Sequence, residues 1–239
     1  MPAAAQRPFP PAPPPHQPAS PPERVAAGPL VLRRVQADDA GAIAVAVGAS
    51  LEHLRPWMPW ATPEAADLRS QLVRVAEADE LWESGTGFIY VMIAAGGAAG
   101  PAGPGAVKDP DGEFVGTIGL HRRLADAAVE IGYWIVAAKT RRGYATAAAR
   151  AATGVAMALP GTRRAEIHCD EANTASAGVP RKLGYRLDRV EAHEREAPGE
   201  VGRRMIWVWD PAEGPRAAGT PGGRAAGAHG GGAARGGHR

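Results

Sequence analysis

The chain of 239 residues contains 27 basic residues, 25 acidic residues and a single cysteine, and no apolar run approaches the ~20 residues that a membrane-spanning helix needs. This composition excludes an intrachain disulfide and a zinc site of paired cysteines, and it argues against a membrane partner. Six of the basic and two of the acidic residues lie in the two terminal segments, so the body carries a net charge of −2 and has nothing typical of a specific nucleic-acid partner. No apolar segment flanked by charge opens the chain, so we expect a cytoplasmic protein without a secretory signal.

Composition divides the chain into three parts. Residues 1–28 are dominated by Pro and Ala, and residues 211–239 by Gly, Ala and Arg. Neither segment has the apolar side chains needed to form a core, so we expect two disordered tails. Residues 29–210 remain as one domain of ordinary size.

The predicted elements of this domain alternate between strands and helices. Short runs rich in apolar and β-branched residues indicate strands, and apolar residues three or four positions apart indicate helices. The predicted strands are 30–35, 88–94, 113–121, 129–135, 164–170, 185–194 and 203–209, and the predicted helices begin at Ala37, Thr62, Gly143 and Asn173. Gly116 and Gly119 within one strand indicate a bulge or a close approach by another segment. The fold class is therefore α/β, with a mixed central sheet of about seven strands flanked by four helices.

An aromatic loop, HLRPWMPW, follows the first predicted helix. Its two prolines exclude a regular helix interior. Trp57 and Trp60 have two interpretations: large aromatic side chains usually fill the core, but in a rigid loop they also serve as walls of a substrate groove. Both interpretations stay open on the sequence.

The stretch EIGYWIVAAKTRRGYATAAAR, from Glu130 to Arg150, predicts a strand, a glycine-containing loop and an alanine-rich helix. The first N–H groups of a helix have no intrahelical partner and carry partial positive charge, so such a loop can bind a phosphate. Gly143 lets the backbone approach a ligand closely. The alternative is an ordinary helix start with two solvated arginines. The single cysteine, Cys169, falls in a later predicted strand, where a small buried thiol is expected rather than a nucleophile.

Three segments in this order, GEFVGTIGL, EIGYWIVAAKTRRGYATAAARAA and NTASAGVPRKLGYRL, resemble the GNAT superfamily of acetyl-CoA-dependent N-acetyltransferases. HLRPWMPWA is similar to the branch that contains the ribosomal-protein alanine and serine N-terminal acetyltransferases. The resemblance covers essentially the whole body. It implies the acyl-CoA N-acyltransferase fold, with a parallel strand pair that splays apart, and acetyl-CoA as co-substrate without a metal.

The same resemblance implies where the co-substrate binds. The diphosphate loop of the family corresponds to Thr140–Ala145, where Thr140 and Arg141 depart from the usual pattern. The pantetheine arm would lie between the splayed strands, next to an amide N–H that could hold the oxyanion. The implied cofactor-binding residues are Tyr133, Trp134, Ile135, Arg141, Arg142, Gly143, Tyr144, Ala145, Thr146, Asn173 and Ser176. A tyrosine that many relatives use as the acid falls on Pro180, so Ser176 or a water would protonate the thiolate. Asn173 and Ser176 would otherwise be read as ordinary helix-capping residues.

The candidate base is Glu130. Strand alternation places it on one face with Gly132 and Trp134. Its alternative role is a structural ion pair with an arginine such as Arg122. Glu194 and Glu196 are second choices, and His168 is a third.

The implied reaction is transfer of an acetyl group to a primary amine, with a protein N-terminus as the leading acceptor. The alternatives are a small-molecule or antibiotic acetyltransferase and a non-catalytic acetyl-CoA-binding module. A homodimer stays open as a further partner.

Overall fold

The structure is a computed structural model that describes residues 20–95, 112–122 and 127–212. Residues 1–19 and 213–239, which hold most of the two predicted tails, lie outside the described part. Within it, eight strands form one sheet in the order β1-β2-β3-β4-β5-β6-β8-β7. The strands are β1 Arg24–Ala27, β2 Leu30–Arg34, β3 Gly87–Ala95, β4 Gly112–His121, β5 Ala128–Ile135, β6 Arg164–Asp170, β7 Arg186–Ala192 and β8 Arg203–Trp209.

Helices cover both faces of the sheet. They are α1 Ala40–Gly48, α2 Leu51–Leu54, α3 Leu68–Ser84, α4 Tyr144–Ala158 and α5 Thr174–Leu183, with 3-10 turns at Ala37–Asp39, Pro63–Ala66 and Ala137–Lys139. α4 and α5 pack on one face, and α1 and α3 cover the other. Alternation along β5 follows this division, because Ile131 and Ile135 join the core under α4 whereas Trp134 joins the core under α1 and α3. The predicted mixed α/β architecture is confirmed.

The one parallel pair in the described sheet, β5 and β6, separates part-way along its length. Its register contains three pairs, of which Glu130 with Glu166 is the last. Beyond that pair, β5 continues to Ile135 and β6 to Asp170 without further pairing to each other. The predicted splayed strand pair is therefore present, and it leaves a gap in the middle of the sheet.

The strand β1 lies inside the segment 1–28 that was predicted as a tail. It pairs antiparallel with β2 over four residue pairs. Its sequence, RVAA, is short and follows a proline-rich run, so neither propensity nor pattern indicates a strand. The prediction of about seven strands falls one short for this reason.

The first predicted helix is interrupted. A 3-10 turn precedes α1, α1 ends at Gly48, and the single turn of α2 follows Ser50. Likewise Thr62 and Pro63 begin a 3-10 turn, and α3 itself begins only at Leu68. The prediction of four helices reflects the long apolar periodicity, which continues across these breaks.

The close approach predicted at the glycines of β4 is confirmed. Gly116 has φ +150°, and a Cβ placed there would lie 2.1 Å from the carbonyl oxygen of Trp134. The register between β3 and β4 shifts next to this residue, between Met92 and Ile93, which marks a bulge. A side chain at Gly116 would therefore separate β4 from β5 beside the gap.

Candidate active site

The N-terminus of α4 forms the predicted anion cradle. Gly143 is the N-cap residue, with φ +81°, and has no side chain to cap the first-turn N–H groups of Tyr144, Ala145 and Thr146. A Cβ at Gly143 would meet nothing within 4 Å, so the space in front of the helix is open. Backbone N–H groups that face open space at a helix start suit a phosphate group.

Arg141 occupies a left-handed backbone conformation, with φ +59°. This conformation is strained for residues other than glycine. Arg141, which departs from the usual family pattern, therefore stands in a conformation that favours glycine. Both Arg141 and Arg142 are exposed.

A cavity of about 1150 Å³ passes from the gap between β5 and β6 to the face covered by α1 and α3. Half of the fourteen site residues predicted from the sequence line it: Trp57, Trp60, Glu130, Tyr133, Trp134, Asn173 and Ser176. Ile135 and the segment 141–146 do not. Ile135 is buried in the core, and the cradle at α4 lies outside this cavity. The structure therefore brings seven predicted residues together.

The hydroxyl of Tyr133 lies 3.3 Å from the Oγ of Ser176, across the gap between β5 and α5. Burial raises the pKa of Tyr133 well above its ordinary value, although the bond to Ser176 opposes this effect. Tyr133 therefore stays protonated at neutral pH, and its hydroxyl also lies 3.3 Å from the carbonyl oxygen of Ser176, to which it can donate. A rotation of either hydroxyl would let it donate a hydrogen bond to an anion in the gap instead. The proximity of Tyr133 to Ser176 is a tertiary contact that sequence reasoning did not provide.

Asn173 has the structural role that was its alternative interpretation. Its Oδ1 accepts a hydrogen bond from the backbone N–H of Ser176 at 3.0 Å, which caps α5. The same side chain also lines the cavity, so capping does not remove it from the site. Pro180 lies inside α5, in the position where many relatives carry a tyrosine.

Cys169 lies on β6 and also lines the cavity. Burial raises the pKa of this thiol to about 11, against weaker opposing effects of the neighbouring side chains of Ser176 and Trp207. The sulfur is therefore a neutral thiol at physiological pH, as expected for a small packed side chain rather than an activated nucleophile.

Trp60 combines core packing with a place on the cavity wall, and the substrate-groove role of Trp57 and Trp60 stays a prediction. The rings of Trp60 and Trp134 lie 6.0 Å apart between centroids, and the guanidinium of Arg74 stands 5.4 Å from the Trp60 ring. Trp60 therefore packs against the core, yet it and Trp57 also line the cavity. The loop that carries them is joined to the loop between β7 and β8 by a hydrogen bond from the Gly199 N–H to the Pro56 carbonyl, at 2.9 Å.

Glu130 lies at the point where β5 and β6 separate. Its carboxylate is 15% exposed and lies 3.9 Å from Nδ1 of His168. Arg122, the arginine proposed as its structural partner, donates to the carbonyl of Pro160 at 2.9 Å. Beside Glu130, Glu166 is held between Arg164 and His168 at 2.7 Å each. This cluster of charged side chains in the interior was not predicted, although the alternation of Arg164, Glu166 and His168 on one face of a central strand was a visible signal.

The two glutamates chosen as second candidates do not lie on a strand. β7 ends at Ala192, so Glu194 and Glu196 belong to the following loop, and both are exposed. Glu196 lines the cavity and Glu194 does not. Glu191, the last acidic residue on β7, points into the cavity and was missed because the predicted strand extended two residues too far.

The sequence profile of the acetyltransferase (GNAT) domain matches residues 29–186. The chain belongs to the GNAT acetyltransferase family. As a GNAT acetyltransferase it uses acetyl-CoA as its co-substrate. Its residues fit this molecule, because an open helix start suits the phosphates and the gap beyond Glu130 suits an extended arm. No curated protein sequence matches the chain at a significant level.

Solved structures of acetyltransferases share the fold. Mycobacterium smegmatis RimJ in complex with CoA-disulfide has a TM-score of 0.66 at 24% identity, covering 82% of this chain and 88% of that one. The ribosomal-protein-S5-alanine acetyltransferase from Vibrio fischeri has a TM-score of 0.65 at 17% identity, covering 78% and 96%. The microcin C7 self-immunity acetyltransferase MccE, in complex with acetyl-CoA and AMP, has a TM-score of 0.64 at 14% identity, covering 77% and 93%.

Two features are absent from the described residues of the GNAT domain. None of its helices there has the length and apolar character needed to cross a bilayer. The same residues contain no group of three or more His, Cys, Asp or Glu side chains arranged to hold a metal ion.

Proposed function

We propose that this GNAT acetyltransferase acetylates the α-amine of a protein N-terminus, of the kind found on ribosomal proteins. The observation that supports this proposal most strongly is the continuous cavity. It connects the gap between β5 and β6, on the co-substrate side, with an open groove walled by Trp57 and Trp60. An amine at the end of an extended chain can reach the apex of the gap through this groove.

Specific residues hold the co-substrate in this proposal. The phosphates lie at the N–H groups of Gly143–Thr146, with Arg141 and Arg142 as exposed cations beside them. The arm follows the edge of β5 that no longer pairs with β6, near Tyr133, Trp134 and Ile135. Bound there, acetyl-CoA supplies a thioester carbonyl, and a backbone N–H of this edge polarises it.

Glu130 is the proposed base, and the pair of Tyr133 and Ser176 is the proposed acid. An α-amino group titrates near pH 8, so a single nearby carboxylate is enough to make it a nucleophile at neutral pH. Glu130 lies on the groove side of β5, whereas the two hydroxyls lie on the side of α5. The base and the acid thus stand on opposite sides of the reacting carbonyl.

The acceptor class is tested with purified full-length chain, acetyl-CoA and a panel of amines. The panel contains peptides that begin with Ala or Ser, the same peptides with a blocked N-terminus, free polyamines and aminoacyl nucleotides. We expect turnover only on the unblocked peptides. Turnover restricted to the small amines would replace the peptide proposal by a small-molecule acetyltransferase. The similarity of the fold to that of MccE is also compatible with this alternative. Tight CoA binding without turnover on any amine would indicate a binding module.

The co-substrate site is tested by calorimetry with CoA on the Gly143→Glu variant. An acidic side chain in front of α4 repels the phosphates, so we expect the dissociation constant to rise at least about tenfold, or ~1.4 kcal/mol. Gly161→Glu is the matched control, because Gly161 also has a positive φ, of +75°, and open space, but lies in the turn before β6. Equal affinities in two folded variants would remove the α4 loop from the site.

A further inference from the structure

A chain of hydrogen-bonded polar side chains, Arg164, Glu166 and His168, lies behind Glu130 inside the sheet. Nε of Arg164 donates to one carboxylate oxygen of Glu166 at 2.7 Å, and Nε2 of His168 lies 2.7 Å from the other. Nδ1 of the same imidazole faces Oε1 of Glu130 at 3.9 Å. The carboxylate of Glu166 is 3% exposed and the imidazole is 14% exposed.

The cluster lies at the apex of the gap, which is the point where β5 and β6 stop pairing. Glu130 and Glu166 form the last residue pair of β5 and β6. His168 follows Glu166 by two residues on β6, so it lies on the same face of that strand and just beyond the last pair. All four side chains line the cavity. Buried ionised groups are costly to a fold unless they are paired, so a cluster at this place calls for a role beyond packing.

The hydrogen bonds fix which nitrogen of His168 carries a proton. Burial alone would raise the pKa of Glu166, but the bonds from His168 and Arg164 outweigh it and lower the pKa. Glu166 is therefore a carboxylate at neutral pH and can only accept hydrogen bonds, so Nε2 must donate. In the neutral imidazole, Nδ1 then presents its lone pair to Glu130.

Other charged groups around the imidazole are engaged elsewhere. Arg189 pairs with Asp188 and Glu191, Asp170 accepts N–H groups of the β7–β8 loop, and Arg74 stands over Trp60. The titratable and charged side chains that line the same cavity are Arg74 and Glu77 of α3, His121 of β4, Glu130 and Tyr133 of β5, Arg164, Glu166, Cys169 and Asp170 of β6, Arg189 and Glu191 of β7, His193, Glu196 and Glu200 of the following loop and Arg204 of β8. The carboxylates of Glu166 and Glu130 lie 2.7 and 3.9 Å from the two ring nitrogens of His168.

We propose that His168, oriented by Glu166, is a positioning and relay residue that takes from Glu130 the proton removed from the acceptor amine. This inference rests on the proposed function, with Glu130 as base. A small rotation closes the 3.9 Å separation, since hydrogen bonds of this kind commonly tighten when substrate binds. The relay returns Glu130 to its carboxylate form before the next acceptor arrives.

The protons balance in this scheme. The ammonium group of the acceptor gives one proton to the Glu130 carboxylate, and the resulting acid passes it to Nδ1 of His168. The neutral amine attacks the thioester carbonyl, a C–N bond forms, the C–S bond breaks, and the second amine proton goes to the leaving thiolate. The proton on His168 then leaves to solvent through the open cavity, so each turnover releases one proton.

The test compares wild type with His168→Gln and Glu166→Gln on two acceptors. One acceptor is a peptide with an N-terminal alanine, and the other is the same peptide with an aminooxy group, which is uncharged at neutral pH, in place of the α-amine. We expect kcat on the first acceptor to fall about 10²-fold in both variants, the scale of general base catalysis. On the second acceptor no proton must leave before attack, so we expect kcat to fall less than about threefold on that scale.

Structural damage is separated from loss of the relay by three readouts. The dissociation constant for CoA and the KM for the peptide should stay within about twofold of wild type, because uniform binding is not affected. Added imidazole should restore kcat in His168→Ala, since the cavity is open to solvent. His53→Gln, at an exposed histidine of α2, should behave as wild type.

The outcomes distinguish the relay from the proposed function. A wild-type chain that binds CoA but acetylates no amine overturns both. A wild type that is active on peptides, with His168→Gln equally active, overturns the relay and leaves the function standing. An equal loss on both acceptors, without rescue by imidazole, assigns His168 a packing role and also overturns the relay.

Discussion

At the scale of single residues, Asp170 shows how one carboxylate organises a loop. Its Oδ1 accepts the backbone N–H of Ala172 at 2.9 Å, which fixes the start of the α5 segment. Its Oδ2 accepts from Nε2 of His193 and from the backbone N–H groups of Val201, Gly202 and Arg203, at 3.0 to 3.2 Å. Burial alone would raise the pKa of Asp170, but these hydrogen bonds lower it to about 2.

The pH dependence of stability should reveal this carboxylate. A folded-state pKa of about 2 lies below the ordinary 3.8, so the stabilisation is complete well above pH 4 and is lost as the pH falls through about 2. The shift corresponds to about 2 kcal/mol. We expect Asp170→Asn to lower the free energy of unfolding by at least that amount at pH 7, and the difference from wild type to shrink toward pH 2. Urea unfolding at several pH values measures it, with Asp38→Asn, at an exposed residue, as the control.

The backbone at Arg141 gives a second prediction at this scale. Its φ of +59° favours glycine, so Arg141→Gly should be more stable than Arg141→Ala by about 1 kcal/mol, although both lose the same side-chain charge. At Gly154, an exposed position in α4 with open space, we expect the opposite order. Gly154→Ala should be more stable than wild type, because alanine is the better helix former. Chemical unfolding of the variants without ligand measures both differences. Equal stability of the two Arg141 variants would contradict a left-handed residue there.

At the candidate site, sequence motifs and the fold supply different information. Strand alternation predicted Glu130 and the family resemblance implied Asn173 and Ser176, and the fold places all three on the wall of one cavity. The bond between His168 and Glu166 depends only on alternation along β6, yet which face of β6 meets the cavity depends on its neighbours. Sequence alone therefore left His168 as an isolated histidine.

At the scale of elements, β4 is held against β5 at Gly116, which has no room for a side chain. A Cβ there would lie 2.1 Å from a backbone carbonyl oxygen, which cannot move without separating the strands. At Gly119 on the same strand, a Cβ would meet the ends of the Ile89 and His121 side chains, at 2.7 and 2.8 Å, and these can rotate away.

We therefore expect Gly116→Ala to lower the free energy of unfolding by about 3 kcal/mol or more, at the upper end of single-residue effects. Gly119→Ala should cost about 1 kcal/mol on the same scale. Urea denaturation followed by tryptophan fluorescence compares the two variants directly. If Gly119→Ala proved the more damaging, the bulge next to Gly116 would not be where the structure places it.

The elements themselves were predicted unevenly, for physical reasons. The central strand β3 was found because its apolar run, FIYVMIA, is long enough to mark a buried strand, whereas β6 was found from alternation. β1 was missed because a four-residue edge strand needs little more than backbone pairing, here to β2. The break after Gly48 was missed because apolar periodicity alone does not show where a helix turns.

At the scale of the whole molecule, two loops distant in sequence meet at the rim of the cavity. The aromatic loop contributes Trp57 and Trp60, and the loop between β7 and β8 contributes Glu196 and Glu200. They touch at Pro56 and Gly199, through a backbone hydrogen bond of 2.9 Å. A Cβ at Gly199 would lie 2.6 Å from the Pro56 carbonyl oxygen, so the contact requires glycine.

Because this contact joins two loops that line the rim of the cavity, Gly199→Ala should displace them and weaken acceptor binding while sparing the α4 cradle. The α4 cradle lies outside the cavity, so the dissociation constant for CoA should not change. We expect the KM for a peptide acceptor to rise several-fold, which corresponds to roughly 1 kcal/mol of lost uniform binding. Steady-state kinetics with varied peptide, together with calorimetry with CoA, measure the two effects, and Gly154→Ala controls for an added methyl group elsewhere. A rise in the CoA dissociation constant with an unchanged KM would mean that the rim shapes the co-substrate side instead, and Trp57 and Trp60 would then lose their proposed role in the acceptor groove.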